Sequence, residues 1–167
     1  MAKSKDYSVF IVTHGRPNRV ITHKTLRKQG YSGDIFLIVD DQDESVDEYK
    51  SLYGDQVVVF NKNKYIELTD DGDNFVEKRA VVYARNACFD IAESLGVKYV
   101  IVLDDDYTDF RYKMNSQYQY ADKKIVNLDK TFESVFEYYK QIPAKSIALS
   151  QNGDYIGGAG NNLHLSL

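Results

Sequence analysis

Runs of consecutive apolar and β-branched residues alternate with amphipathic stretches along most of this sequence. The apolar runs lie near residues 7–13, 35–40, 56–60 and 98–103. The helices predicted from apolar spacing span residues 18–29, 44–53, 75–95 and 128–141. Strands that are apolar at nearly every position are typical of parallel sheets covered on both faces. The sequence therefore predicts a doubly wound α/β fold, Rossmann-like, with a mainly parallel sheet flanked by helices.

The other segments carry weaker patterns. Residues 61–74 are polar and acidic, and the tyrosine-rich stretch 109–124 is predicted to be irregular. A short strand is expected at 146–150, followed by a glycine-rich stretch at 157–160. A length of 167 residues predicts a single domain.

Charge and cysteine content exclude several classes of protein. The 21 basic and 25 acidic residues give a net charge of −4, which argues against a surface that binds nucleic acid over its whole extent. Cys88 is the only cysteine, which excludes a disulfide framework, and it is predicted to be an inert core residue. No apolar run is long enough to span a bilayer, and Met1–Asp6 lacks the apolar stretch of a secretory signal. We expect a cytoplasmic protein without a membrane partner.

Polar side chains follow three of the four predicted strands, where open parallel sheets bind their ligands. These residues are Thr13, His14, Gly15 and Arg16 after the first strand, Asp40, Asp41 and Asp43 after the second, and Asp104, Asp105 and Asp106 after the fourth. In extended backbone, Asp104 and Asp106 share one face while Asp105 points elsewhere. A hard divalent cation that bridges substrate phosphates suits such carboxylates. The alternative is a solvated acidic turn that closes the strand.

Arg85, on the predicted helix 75–95, can neutralise a diphosphate close to that acidic cluster; the alternative is a solvent-facing arginine. The P-loop pattern GxxxxGK[ST] and the dinucleotide pattern GxGxxG are both absent after the first strand. No serine or cysteine nucleophile motif occurs, and the three histidines lack metal-ligand spacing. These absences disfavour P-loop kinases and NAD-binding enzymes.

The strand-end motifs resemble those of GT-A fold glycosyltransferases of the broad family-2 type. The matching pieces are FIVTHGRP, FLIVDD, YARN and VIVLDDDY, the last of which contains a DxD motif. The resemblance covers residues 7–110 best, as a nucleotide-binding half, and residues 111–167 would begin the acceptor half. More narrowly, KRAVVYARNACFDIA, LDDDY and IGG are similar to phage-encoded TET-associated glycosyltransferases.

The resemblance implies a metal-dependent transfer of a sugar from a nucleoside diphosphate sugar, with UDP-sugars the expected donors. The implied nucleotide-sugar-binding residues are Thr13, Arg16, Asp40, Arg85, Asp104 and Asp105, with Asp40 on the base and Arg85 near the diphosphate. Asp106 and Asp104 would ligate Mn²⁺ or Mg²⁺. The implied acceptor is a hydroxyl, including that of hydroxymethylpyrimidine in phage DNA, and the location is then the host cytoplasm.

One departure from the family concerns the catalytic base. The family carries an acidic motif, often a Glu-Asp pair, after the DxD strand, and no such pair follows Asp106 here. The base is therefore expected to be absent from this chain, whose C-terminal part looks truncated. A second polypeptide that supplies the acceptor half would complete the site.

Two other functions remain open, a nucleotidyltransferase and a non-catalytic module, and a third, a phospho-receiver domain, is disfavoured. A nucleotidyltransferase also uses strand-end aspartates, although its glycine-rich loop normally follows the first strand. A phospho-receiver domain needs an acidic pair where this chain has Thr13–Arg16. A non-catalytic module that binds nucleotide sugars would use the same pocket without turnover.

The segment 107–124 carries a local excess of positive charge in an acidic chain. Four basic residues (Arg111, Lys113, Lys123 and Lys124) against two acidic ones (Asp109 and Asp122) leave +2, and tyrosines are interleaved with them. Tyrosines stack on bases and cations neutralise phosphates, which predicts weak, salt-sensitive DNA binding. The alternative is a polar loop whose tyrosines pack on the sheet.

Overall fold

The computed structural model describes residues 6–70, 80–117 and 119–149, and a four-stranded parallel sheet is the central element of the first part. Its strands are β1 (Tyr7–Val12), β2 (Ile35–Asp40), β3 (Val57–Phe60) and β4 (Tyr99–Asp104), in the spatial order β3-β2-β1-β4. All four predicted strands are confirmed. In the register, Val12 pairs with both Ile38 and Asp104, so the strands end at a common edge.

Apolar side chains cover both faces of the sheet. The helices of this part are α1 (Ile21–Lys28), α2 (Val46–Tyr53), α3 (Lys62–Leu68) and α4 (Ala80–Ser94). Phe10, Val12 and Ile38 form one buried cluster with α4. Their strand neighbours Ile11 and Leu37 point to the opposite face and are also fully buried. The predicted α/β fold with a flanked parallel sheet is confirmed.

Most helix boundaries differ by a few residues from the predicted ones, and one helix was not predicted. Helix α1 begins at Ile21 rather than at residue 18, because Pro17–Arg19 forms a separate 3-10 turn. Helix α3 lies within the stretch that was expected to be merely polar and acidic. Its first turn is capped by the Asn61 side chain, which accepts a hydrogen bond from the Lys64 amide at 3.0 Å. The segment 71–79, including the start of the predicted helix 75–95, lies outside the described residues.

The buried face of α4 is not the one that its largest apolar residues suggest. Val82, Phe89 and Leu95 belong to the predicted apolar face, yet they are exposed, Phe89 at 71%. The buried residues are Tyr83, Ala84, Ala87, Cys88, Ile91 and Ala92. The smaller residues of the predicted apolar face (Ala84, Ala87, Cys88, Ile91 and Ala92) are thus buried as predicted, and Tyr83 is buried with them.

Cys88 is confirmed as a core residue. It is fully buried, its Sγ donates to the Ala84 carbonyl at 3.1 Å, and burial raises the pKa of the thiol to about 12. At pH 8 only about one such thiol in ten thousand is ionised, and the thiolate is the reactive form. We therefore expect no reaction with a disulfide reagent at pH 8 in the native state and complete reaction in guanidinium chloride. Rapid native labelling would contradict this burial.

The second part of the chain contains a hairpin, where the sequence predicted irregular structure over 109–124. Strands β5 (Arg111–Met114) and β6 (Tyr120–Lys124) pair antiparallel, and helix α5 (Leu128–Gln141) follows as predicted. The strand expected at 146–150 is wrong for residues 146–149, which have no strand pairing, and residues 150–167 lie outside the described ranges.

A buried glutamine joins this hairpin to the segment before Tyr31. The Gln29 side-chain amide donates to the carbonyls of Phe110 and Ile125 and accepts from the Phe110 amide, so it adds three hydrogen bonds at the open end of the hairpin. Gly30 has φ +84°, and a Cβ there would lie 3.0 Å from the Val126 carbonyl oxygen. Glycine is therefore required at this close approach.

Contacts divide the chain into two compact units. The first comprises Met1–Arg27 and Ser32–Thr108, and the second comprises Lys28–Tyr31 and Asp109–Leu167. The single domain expected from length stays a prediction. In the described ranges, none of the helices has the length and apolar character needed to cross a membrane.

Candidate active site

A pocket of about 360 Å³ lies in the first unit, at the carboxyl edge of the sheet. Its lining includes every residue predicted for the nucleotide-sugar and metal sites: Thr13, Arg16, Asp40, Arg85, Asp104, Asp105 and Asp106. A volume in this range is typical of small-molecule sites. Open parallel sheets bind their ligands beyond the carboxyl ends of their strands, which we call the strand-end rule. This edge brings together side chains that are up to 93 positions apart in the sequence.

Strand order explains how these residues meet. Asp40 is the last residue of β2, Thr13 follows β1, and Asp104 is the last residue of β4. Because β2, β1 and β4 are consecutive parallel neighbours, their carboxyl ends form one edge with a spacing of about 4.8 Å between strands. Arg85 comes from α4, which packs on the same sheet.

The three consecutive aspartates have different environments. Asp104 is partly exposed, and its Oδ1 accepts a hydrogen bond from the Arg85 guanidinium at 2.7 Å. The Asp105 side chain is 2% exposed. Asp106 is exposed and makes no ion pair or hydrogen bond in the part of the chain that the structure describes. Asp104 is therefore paired with the Arg85 guanidinium, Asp105 is structural, and Asp106 is available to a ligand.

Asp105 lies in a buried hydrogen-bond network. Its Oδ2 accepts from Thr13 Oγ1 at 2.6 Å, and its Oδ1 accepts from Arg16 at 2.8 Å. Since the threonine proton goes to Asp105, the Tyr49 hydroxyl, 2.8 Å from Thr13 Oγ1, must donate to that oxygen. The same hydroxyl accepts from the Arg16 amide at 2.9 Å. Burial raises the pKa of Tyr49, which keeps this donor protonated at neutral pH.

The backbone of the acidic triplet is fixed by Thr22 on α1. The Thr22 hydroxyl donates to the Asp104 carbonyl at 2.6 Å and accepts from the Tyr107 amide at 2.8 Å. The Thr22 amide donates to the Asp105 carbonyl at 3.0 Å. The first turn of α1 thus uses its free amide and hydroxyl groups to hold the end of β4.

A second buried carboxylate, Asp40, orients the loop after β1. Asp40 is 1% exposed, and its Oδ2 lies 2.7 Å from His14 Nδ1. Its Oδ1 accepts from the Gln42 amide at 3.2 Å and lies 3.7 Å from Lys62 Nζ. Asp43 accepts from the Gly15 amide at 2.6 Å. Both acids therefore hold the His14–Gly15 turn in place.

The carboxylates that remain suit a hard divalent cation. Within the described residues, no group of three or more histidine, cysteine, aspartate or glutamate side chains could hold a metal ion. Asp104 and Asp106 supply two carboxylates to one pocket. Mg²⁺ in nucleotide sites commonly takes one or two carboxylates and completes its shell with water and phosphate oxygens. Asp104 and Asp106 are therefore the carboxylates of the pocket that could contact such an ion, and a bound Mn²⁺ or Mg²⁺ stays a prediction.

Over residues 7–166, the sequence matches the family described as TET-Associated Glycosyltransferase. The chain belongs to this glycosyltransferase family. The match includes every residue of the pocket. No curated protein matches the chain. No solved structure matches this glycosyltransferase, and a GT-A fold in the strict sense stays a prediction.

Several residues of the site were not predicted from the sequence. Tyr49 has helical spacing with Val46 and Leu52, which indicates burial but not where its hydroxyl will bond. Nothing in the sequence around Thr22 indicated that its side chain would bond to the backbone of the acidic triplet. His14 follows a strand and so satisfied the strand-end rule, yet its type gave no reason to prefer it over Thr13 or Arg16.

Proposed function

We propose that this glycosyltransferase moves a sugar from a nucleoside diphosphate sugar, with UDP-sugars the expected donors, to an acceptor hydroxyl, and that it uses Mn²⁺ or Mg²⁺. The observation that carries the proposal is one pocket that combines two guanidinium groups with the carboxylates of Asp104 and Asp106. Guanidinium groups pair with phosphate oxygens in bidentate fashion, and the carboxylates suit the accompanying cation.

The proposed roles follow from exposure and partners. Arg16 and Arg85 are about half exposed, so each can bind a phosphate oxygen while it keeps its aspartate partner. Asp104 and Asp106 would hold the metal ion, and Thr13, Asp40 and Asp105 would keep the pocket walls in position. When bound, the ion supplies Lewis-acid stabilisation of the departing nucleoside diphosphate.

Calorimetry with intact nucleotide sugars tests this proposal. We expect a UDP-sugar to bind with Mn²⁺ present and to bind at least tenfold more weakly with EDTA. Hydrolysis or transfer, followed by release of the nucleoside diphosphate, then distinguishes an enzyme from a module that only binds the donor. Absence of binding by every nucleoside diphosphate sugar in the presence of Mn²⁺ would overturn the proposal.

The proposed acceptor is a hydroxymethylpyrimidine in DNA, and the hairpin of the second unit supports it. Tyr112 and Tyr120 are 45% and 40% exposed, and exposed tyrosine rings can stack on bases. Three of the four cations are already in ion pairs, however. Lys124 lies 2.7 Å from Asp109, and both Arg111 and Lys113 lie 2.8 Å from Asp122. Affinity for phosphates is therefore expected to be weak, because phosphate contacts by these three residues must compete with an aspartate.

These ion pairs persist at neutral pH. Lys124 holds the pKa of Asp109 below its ordinary value, and Lys113 does the same for Asp122. A depressed carboxyl pKa means that the pairing is present above the ordinary value of 3.8 and is lost as the pH falls through the lower folded-state value. At neutral pH, Arg111, Lys113 and Lys124 therefore stay paired with their aspartates. We expect the salt concentration, rather than the pH, to control the affinity for DNA.

Replacing Arg111, Lys113, Lys123 and Lys124 together by alanine will abolish low-salt binding to DNA that contains hydroxymethylpyrimidine. Loss of about four phosphate contacts removes both the affinity and its dependence on salt. Fluorescence anisotropy between 20 and 200 mM salt measures both. The matched control replaces four exposed lysines elsewhere, Lys50, Lys98, Lys130 and Lys145. Equal loss in the control, or no loss in the hairpin variant, would exclude this surface as the DNA contact.

A further inference from the structure

His14 is the half-exposed residue of the pocket whose ring is held by buried carboxylates. Its side chain is 49% exposed, and Nδ1 lies 2.7 Å from Asp40 and 3.5 Å from Asp43. Among the described residues, Nε2 has no hydrogen-bond partner. One ring nitrogen therefore belongs to the protein, and the other is available to a ligand in the pocket.

Asp40 itself is poorly placed to contact a ligand. It is 1% exposed, and its two oxygens already contact His14, the Gln42 amide and Lys62. The ammonium group of Lys62 and the amide compensate its charge. A carboxylate that accepts from Nδ1–H leaves the lone pair of a neutral imidazole on Nε2, so that Nε2 acts as a hydrogen-bond acceptor. Asp40 thus acts through His14.

The position of His14 along the sheet edge separates it from the proposed diphosphate site. His14 and Asp40 lie at the ends of β1 and β2, whereas Asp104 and its partner Arg85 lie at the end of β4, on the other side of β1. Adjacent strands are about 4.8 Å apart, so Asp40 at the end of β2 is roughly two strand spacings from the end of β4, and His14, which follows β1, is roughly one spacing from it. A nucleotide whose diphosphate lies at β4 can reach His14 with its base.

We infer that His14 recognises the base of the donor nucleotide through Nε2 and selects bases that present a ring N–H. Uracil, thymine and guanine carry a proton on the ring nitrogen of their pairing edge, whereas cytosine and adenine present a lone pair there. An acceptor at Nε2 binds the first group and repels the second. This inference rests on the proposed function, since it assigns the base-reading residue of the same site.

The test compares UDP and GDP with CDP and ADP by calorimetry in the presence of Mn²⁺. The variant is His14→Asn, whose side-chain amide can still donate to Asp40 from the position of Nδ1 but has no atom at the position of Nε2. One such hydrogen bond corresponds to a factor of about ten in affinity. We expect the wild type to bind UDP or GDP about tenfold more tightly than CDP and ADP, and the variant to lose this preference.

Inorganic pyrophosphate separates base recognition from phosphate binding. Its affinity should be equal in the wild type and in His14→Asn, because it has no base. Asp40→Asn should also reduce the ratio of the affinities for UDP or GDP to those for CDP and ADP, a ratio that a merely structural aspartate would not change. Tightest binding of CDP or ADP, or a preference that survives in His14→Asn, would overturn the inference while the proposed function stands. If no nucleoside diphosphate binds, both the proposed function and this inference are overturned.

Discussion

Replacing Asp106 by alanine will remove the metal-dependent stabilisation of this glycosyltransferase by UDP. A ligand present at 100 times its dissociation constant stabilises the folded state by about 2.7 kcal/mol. Asp106 is exposed and has no protein partner in the described chain, so its removal should change the unliganded stability by less than about 0.5 kcal/mol. The expected loss of stabilisation in the presence of UDP and Mn²⁺ therefore reflects weaker ligand binding and not a less stable protein. Thermal unfolding with UDP, with and without Mn²⁺, measures it.

The matched control is Asp55→Ala, which removes another exposed acid from the first unit, outside the pocket. It should keep the full Mn²⁺-dependent shift. The assignment of Asp106 as a metal ligand is contradicted if UDP with Mn²⁺ raises the melting temperature of Asp106→Ala as much as that of the wild type.

Replacing the neighbouring Asp105 by alanine should instead lower the stability of the protein in the absence of any ligand. The side chain is 2% exposed and accepts from both Thr13 and Arg16, and Thr13 in turn bonds to Tyr49. Removing this acceptor leaves the proton of the buried Thr13 hydroxyl and one N–H group of Arg16 without their acceptor, which costs about 2 kcal/mol. For a chain of this size the melting temperature should fall by roughly 4–8 °C.

Asp106→Ala is the natural comparison for Asp105→Ala, because the two residues are adjacent and chemically identical. Measured without ligand, the first should melt within roughly 2 °C of the wild type. Urea denaturation provides an independent estimate of the same difference. A melting temperature for Asp105→Ala equal to that of Asp106→Ala would mean that the Thr13–Tyr49 network contributes nothing to folding.

The strands could be predicted because their signal is local. A parallel strand buried on both faces must be apolar along its length, and β1 and β2 satisfy this condition almost without exception. Helix α3 lacked such a signal, since it has seven residues and buries mainly Tyr65 against Phe60. The exposure of Phe89 depends on which face of α4 meets the sheet, and that is decided by contacts distant in sequence.

The candidate site could be predicted as a place but not as a set of contacts. The strand-end rule collects Thr13, Asp40 and Asp104 because topology alone brings them together. It does not say which carboxylate is buried. The alternation of an extended chain places Asp105 and Asp106 on different faces, but only the hydrogen bonds from Thr13 and Arg16 identify Asp105 as the buried, structural acid.

Thr22 has a consequence for the thermodynamics of donor binding. Its three hydrogen bonds fix the main chain from Asp104 to Tyr107 when the protein folds, before any nucleotide arrives. The conformational entropy of this loop is then lost on folding and does not oppose association with the ligand. The amide proton of Tyr107 should accordingly exchange with solvent as slowly as those of β4, with or without nucleotide. The end of the pocket that contains Asp104 and Asp106 is pre-organised by a helix that contributes no charge to it.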